Sequence, residues 1–235
     1  MAVAVKALFF DVFGTLVDWR SSIAREARAA LEPHGFAALD WLGFADAWRG
    51  EYQGAMEEVR SGRIGFCKLD VLHRRNLDRV LPRFGAEKLG EADRVRLNLA
   101  WHRLDVWPDV PAGFARLSKK YLLAPCSNGN IALMADIARR NAIRFDAILG
   151  SEIARDFKPK PRVYLASVEA LNLTPAQVMM VAAHSDDLRS AASNGLRTAH
   201  VARPQEIPGV SETGPRVPVD IAAKSMEDLA DKLGA

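Results

Sequence analysis

The sequence predicts an α/β protein: a parallel sheet wound by helices and interrupted once by a purely helical segment. Three observations carry that prediction. The apolar run Ala7-Leu8-Phe9-Phe10 opens the chain and stops at Asp11. From Asp18 to Arg103 the apolar residues recur at helical spacing. From Tyr121 onward, short apolar runs alternate with helix-like segments, the pattern that builds a parallel sheet covered on both faces.

The elements follow in order. Ile23, Ala27, Ala30 and Leu31 mark a first helix, closed before Pro33 and Gly35. Trp41, Phe44, Trp48, Tyr52, Met56 and Val59 step by three or four and draw one stripe on one helix face. Leu69 to Val80 and Ala92 to Leu104 give two further helices, and this stretch holds no convincing strand. A strand over Tyr121–Cys126 then precedes a helix from about 131 to 140, and a short strand around Ala147–Leu149 precedes a helix from Pro161 to Leu171. Pro161 suits a first helical turn, where its missing N–H costs nothing. Val178–Ala182 is a strand, Asp186–Ser193 a helix, Arg197–Val201 and Val219–Ala222 strands, and Ser225–Leu233 a last helix. Segment 203–218, punctuated by proline and glycine, reads as a loop. The expected architecture is a Rossmann-like parallel-sheet core, residues 1–17 and 104–235, with an inserted helical cap over 18–103.

Composition narrows the function classes. At 235 residues the chain can bury one sizeable core or a core plus a smaller insertion. A net charge of +3 without a Lys/Arg block suits a small anionic substrate and gives nucleic-acid binding little support. No apolar run is long enough to span a bilayer and no leader precedes the first strand, so no membrane partner and a cytoplasmic location are expected. The two cysteines, Cys67 and Cys126, stand far apart, which points to a reducing compartment without disulfides or a zinc site. Cys126, at an apolar strand end, reads as a small core residue.

Several residues invite a chemical reading beside a plain one. Asp11 ends a buried first strand, where open α/β sheets keep their chemistry, or it simply begins a tight turn at Gly14. The Thr15 hydroxyl can hydrogen-bond that acid and fix its rotamer. Ser127-Asn128, between a strand and a helix, forms either an anion site or a helix N-cap. Lys158, held extended by Pro159, is either solvated or aimed across the strand ends. Asp186 or Asp187 caps a helix or belongs to a site, and His184 beside them is a loop residue or a ligand-facing one. Arg49 either lies on a solvated helix face or enters an apolar pocket beside the aromatic stripe, where it would hold an anion far better than in water.

Taken together, these segments resemble the four motifs of the haloacid dehalogenase superfamily. Asp11-Val12-Phe13-Gly14-Thr15-Leu16 is similar to motif one, Ser127-Asn128 to motif two, Lys158-Pro159-Lys160-Pro161-Arg162-Val163-Tyr164 to motif three, and Ala183-His184-Ser185-Asp186-Asp187 to motif four. The resemblance spans nearly the whole chain. Within the superfamily, Phe13, Trp48-Arg49 and the Lys158/Tyr164 pair resemble the metal-independent type II (S)-2-haloacid dehalogenases. It implies Asp11 as covalent nucleophile, Lys158 and Thr15 holding it, and Asp187 orienting the lysine and the hydrolytic water. It further implies that Ser127, Asn128 and the amides of Val12 and Phe13 hold the substrate carboxylate, that Tyr164 supports the site, and that Arg49 with His184 takes the halide. No cofactor, no metal and a homodimer are expected. Two features depart from the pattern: a serine expected near Ala182 or Ala183 is absent, and His184 stands where asparagine is common.

Phe13 is the discriminating residue. Superfamily phosphatases carry a second aspartate there, because an alkoxide leaving group benefits from a positioned acid. Halides leave without a proton, so a dehalogenase loses nothing, and Phe13 supplies an apolar wall beside a carbon electrophile. A protonated His184 would help fluoride most, which extends the expectation from short (S)-2-haloalkanoic acids to haloacetates and fluoroacetate. The alternatives are a magnesium-dependent phosphatase using the acids at 186 and 187, a phosphonatase needing a cap lysine (Lys68 or Lys88), and a non-catalytic ligand-binding relative.

Overall fold

In a computed structural model, described for residues 3–235, six parallel strands form one sheet in the order β5-β4-β1-β6-β7-β8. β1 (Ala7–Phe10) lies in the middle. β2 (Val17–Asp18) and β3 (Asp105–Val106) form a separate antiparallel ladder. β4 (Leu122–Ser127) and β5 (Leu149–Gly150) extend the sheet on one side of β1, and β6 (Val178–Ala182), β7 (Arg197–Val201) and β8 (Ile221–Ala223) on the other. Phe9 stands opposite Ala124 and Met180 at once, so β1 is paired on both edges.

Side chains of a strand alternate between faces. Leu8 and Phe10 join one apolar cluster and Ala7 and Phe9 another across the sheet, which is why the opening run is apolar without interruption. The first cluster runs on without a break into the helical segment and takes in Trp19, Phe44, Trp48 and Trp101.

Between β2 and β3 the chain is helical: Trp19–Leu31, Trp41–Gly50, Tyr52–Arg60, Leu69–Val80 and Glu91–Asn98, with 3₁₀ turns between and after them. Three expectations need correction. The stripe from Trp41 to Val59 lies on two helices, not one, with a joint at Glu51 beside Gly50, a poor helix former. The buried face survives the joint because Trp48, Tyr52, Ala55 and Met56 all point inward. The helix expected to reach Leu104 stops at Asn98 and tightens into a 3₁₀ turn over Leu99–Arg103. Strand pairing also touches the edge of the insertion, since β2 and β3 clip its two ends together through Val17↔Val106 and Asp18↔Asp105. A two-residue ladder has too few positions to show a period.

Among the described residues no helix is long and apolar enough to cross a membrane. Both cysteines are free. Cys126 is wholly buried, and burial pushes its thiol up to about 12, so it packs and does not attack.

Candidate active site

The sheet delivers Asp11 to the carboxyl ends of the strands. Its backbone N–H donates to the Val181 carbonyl at 3.0 Å, continuing the β1–β6 ladder by one residue before the chain turns. The turn needs Gly14 twice over. Its φ is +86°, and a Cβ there would lie 2.0 Å from a Glu206 carboxylate oxygen. Thr15 Oγ1 donates to Asp11 Oδ2 at 2.9 Å and accepts the Ala183 N–H at 2.9 Å, so the hydroxyl locks the aspartate to the loop after β6.

Lys158 bridges two carboxylates. Its ammonium donates to Asp11 Oδ1 at 2.9 Å and to Asp187 Oδ2 at 2.5 Å, while the Tyr164 hydroxyl donates to Asp187 Oδ1 at 2.6 Å. Burial by itself would push the Asp11 carboxyl up, but Lys158 and His184 outweigh it and hold the group well below the usual carboxylate range. Burial likewise opposes the Lys158 charge, and Asp11 and Asp187 reverse that and raise it well above an ordinary lysine. Asp187 is pushed up by burial and by the charge on Asp11, against the pull of Lys158. The Tyr164 phenol is raised by burial and by Asp187, so it stays a donor.

The lysine lies outside any helix, as expected, but not in an extended segment. The Lys158–Pro159 peptide is cis, and the lysine sits in a turn. Its backbone N–H donates to Asn128 Oδ1 at 2.8 Å, which also accepts the Ser151 hydroxyl at 3.0 Å. With that oxygen occupied, the Asn128 amide NH₂ is the group left to face the cavity. Neither Ser127 nor Asn128 caps the next helix, which begins at Ile131 with Asn130 in the cap position.

A cavity of about 850 Å³ opens over these groups, lined by Asp11, Phe13, Arg49, Tyr52, Asn128, Lys158, Tyr164, His184 and Asp187. Thus most of the expected site residues converge. Val12, Thr15 and Ser127 stand behind the lining; the Ser127 hydroxyl is fully buried and accepts the Gly129 N–H at 3.1 Å. The choice between the adjacent acids is geometric. Asp187 is at the cavity floor, whereas Asp186 stands at the mouth, 89% exposed and paired with Arg189. Lys68 is exposed and paired with Glu152, Lys88 is exposed, and neither lines the cavity. Among the described residues no cluster of three or more His, Cys, Asp or Glu is arranged to hold a metal ion.

The roof is aromatic. Phe13 is 2% exposed and meets Tyr52, His73 and Trp101 edge to face. Arg49 enters this box: its guanidinium carbon lies 3.8 Å from the Tyr52 ring centroid and 5.5 and 5.7 Å from those of Trp19 and Phe13. It makes no ion pair among the described residues, and one of its terminal nitrogens is buried without a hydrogen-bond partner. An aromatic-flanked guanidinium with one buried, unpartnered N–H is a receptor for an anion.

His184 closes the remaining side. Its Nδ1 is 3.2 Å from Asp11 Oδ2 and its Nε2 is 2.9 Å from Glu206 Oε2. Burial works against its charge, but Asp11 and Glu206 overcome that and raise it to about 10, so both ring nitrogens donate at neutral pH. Glu206 also accepts the Trp19 indole N–H at 2.9 Å and is held below the usual carboxylate range, burial being outweighed by His184 and Trp19. Sequence reasoning missed Glu206. It lies in the 203–218 loop, and nothing in a lone acid between Pro204 and Pro208 sets it apart.

A family model described as haloacid dehalogenase-like hydrolase matches residues 5–195. The chain belongs to the haloacid dehalogenase-like hydrolases. It is similar to a solved defluorinating L-2-haloacid dehalogenase, with 40% identity, a TM-score of 0.95 and coverage of 98% of this chain and 96% of the other. A second L-2-haloacid dehalogenase structure gives 42% identity and a TM-score of 0.93 over 98% and 99% of the two chains. Among curated relatives, (S)-2-haloacid dehalogenase 4A of Burkholderia cepacia is 29% identical over 86% of this chain and 85% of its own.

Proposed function

We propose that the protein hydrolyses short (S)-2-haloalkanoic acids to (R)-2-hydroxy acids and halide through an aspartyl ester. One observation carries this reading: Asp11, kept ionised, shares its cavity with the unpaired guanidinium of Arg49, and Phe13 rather than a second acid lies beside it.

Asp11 attacks the halogen-bearing carbon in line and inverts it. Lys158 and Thr15 fix the carboxylate rotamer, and Asp187 with Tyr164 fixes Lys158. The Asn128 amide and the backbone amides of the turn at Val12 and Phe13 receive the substrate carboxylate, with Ser127 bracing the loop behind them. Arg49 receives the halide among the aromatic rings, and His184, as imidazolium, donates to it. That donation matters most for fluoride, the poorest leaving halide, so haloacetates including fluoroacetate fall within the reading. Water then opens the ester at the aspartyl carbonyl. The helical segment 18–103 serves as the cap that excludes bulk water, over a core of 1–17 and 104–235.

Single turnover in oxygen-18 water tests the covalent route. Label should enter the Asp11 carboxylate and leave the first product molecule unlabelled. Label appearing directly in that product would overturn it. Asp11→Asn should abolish halide release.

A further inference from the structure

We propose that Asp70, a residue of the helical segment, positions the loop 127–130 that receives the substrate carboxylate, and that His102 holds Asp70 in place to do so. The inference rests on the dehalogenase reading and deepens it.

The loop has two fastenings. On the cavity side, Asn128 Oδ1 accepts the Lys158 N–H at 2.8 Å and the Ser151 hydroxyl at 3.0 Å, and both donors belong to the part of the chain that carries the sheet. On the far side, Asn130 reaches the insertion: its Nδ2 donates to Asp70 Oδ2 at 2.8 Å, in the first turn of the helix Leu69–Val80. Gly129 lies between the two, and a Cβ there would collide with the Met134 methyl and touch the Phe13 ring. Packing this close transmits displacement, so a shift at Asn130 passes to Asn128, whose NH₂ faces the cavity. Asn130 caps nothing: its side chain makes no bond to the first turn of the helix it precedes. A buried amide kept for one long-range bond rather than for a cap is a positional tie.

Asp70 is itself oriented. Its Oδ1 lies 3.1 Å from His102 Nε2, and His102 Nδ1 lies 2.8 Å from Asp136 Oδ2. The imidazole sits on the 3₁₀ turn Leu99–Arg103 of the insertion, and Asp136 on the helix Ile131–Arg140 into which the loop leads. Burial works against the His102 charge, but the two carboxylates reverse that and raise it above an ordinary histidine. Burial would push Asp70 up, but His102 and Asn130 hold it below the usual carboxylate range. An imidazolium between two carboxylates donates from both ring nitrogens. One end of the network thus fixes Asp70, and the other returns to the helix that follows the loop. The Asn98 amide donates to the Asp70 carbonyl at 3.0 Å and holds the backbone as well. Asp70, His102 and Asn130 do not line the cavity, so they act through Asn128 and are positioning residues.

Steady-state chloride release from (S)-2-chloropropionate tests this with Asp70→Ala, Asn130→Ala and the double variant. Each single change should raise KM roughly tenfold, the scale of one hydrogen bond to a charged group, and leave kcat within about twofold. The split is expected because the substrate carboxylate does not react, so its contacts are made equally in the ground and transition states. The double variant should raise KM no further than either change alone, since both remove the same bond. Asp70→Asn keeps an acceptor for Asn130 and should recover most of the affinity lost in Asp70→Ala. An unchanged KM in the single variants, effects that multiply in the double variant, or no recovery by Asp70→Asn would overturn the positioning role, even where the unfolding midpoint falls. Each of those results leaves the dehalogenase reading standing. Absence of chloride from the wild-type enzyme would overturn both.

Discussion

Single side chains at this site have separable energetic signatures. His184 is charged because two carboxylates hold it, with its folded value raised from 6.5 to about 10. Between those values the folded protein binds more protons at this ring than the unfolded chain does, so stability falls as pH rises. The contribution is fully present below 6.5 and lost through about 10. His184→Asn should therefore remove part of the alkaline loss of stability: the difference in urea midpoint between wild type and variant should shrink from pH 6.5 to pH 10. A constant difference would contradict the charged state. Gly14→Ala meets both a positive φ and the Glu206 carboxylate, and should cost at least about 1–2 kcal/mol in denaturant unfolding. Arg49→Ala removes the free anion-binding N–H without emptying the core, and should lower kcat/KM by roughly 10²–10³-fold while circular dichroism stays unchanged.

Elements act by bringing distant residues to one rim. The helix Tyr52–Arg60 is tied to the turn that carries Lys158 by Arg60, which donates to the Lys158 carbonyl at 2.8 Å and also bonds Gln53 and Glu57. Arg60→Ala should loosen this helix over the cavity, raising KM several-fold while the unfolding midpoint moves little; an unchanged KM would show that the tie has no part in substrate retention. Asn128, Lys158 and Asp187 fit a helix cap or a solvated side chain by local pattern alone and stood out only by resemblance to the superfamily motifs, whereas Asp11 was legible because it ends the apolar run of β1. Glu206 was not, because it reaches His184 from an irregular loop 22 residues further on and Trp19 across 187 residues of chain. The joint at Glu51 leaves no mark in the sequence pattern, since the apolar stripe continues in phase through it. Ser127 was expected against the substrate and lies behind the lining, a difference of one layer that spacing alone does not resolve.

The molecule as a whole is joined by one apolar cluster that runs from Leu8 and Phe10 of the sheet to Phe44, Trp48 and Trp101 of the helical segment. Two parts that share a continuous core unfold together. Tryptophan fluorescence, dominated by the buried Trp19, Trp48 and Trp101, should therefore report the same guanidinium midpoint as far-UV circular dichroism. Two separate midpoints would mean that the helical segment and the sheet are independent units. The fold thus holds a roof of aromatic rings and one arginine over an ionised aspartate, the arrangement on which the proposed dehalogenation depends. Halide release from (S)- and (R)-2-chloropropionate, with and without EDTA and beside a magnesium-supplemented phosphoester, tests it most directly. Chloride should come from the (S) form alone, unaffected by EDTA. Phosphate release that EDTA abolishes, with no chloride from either enantiomer, would contradict it.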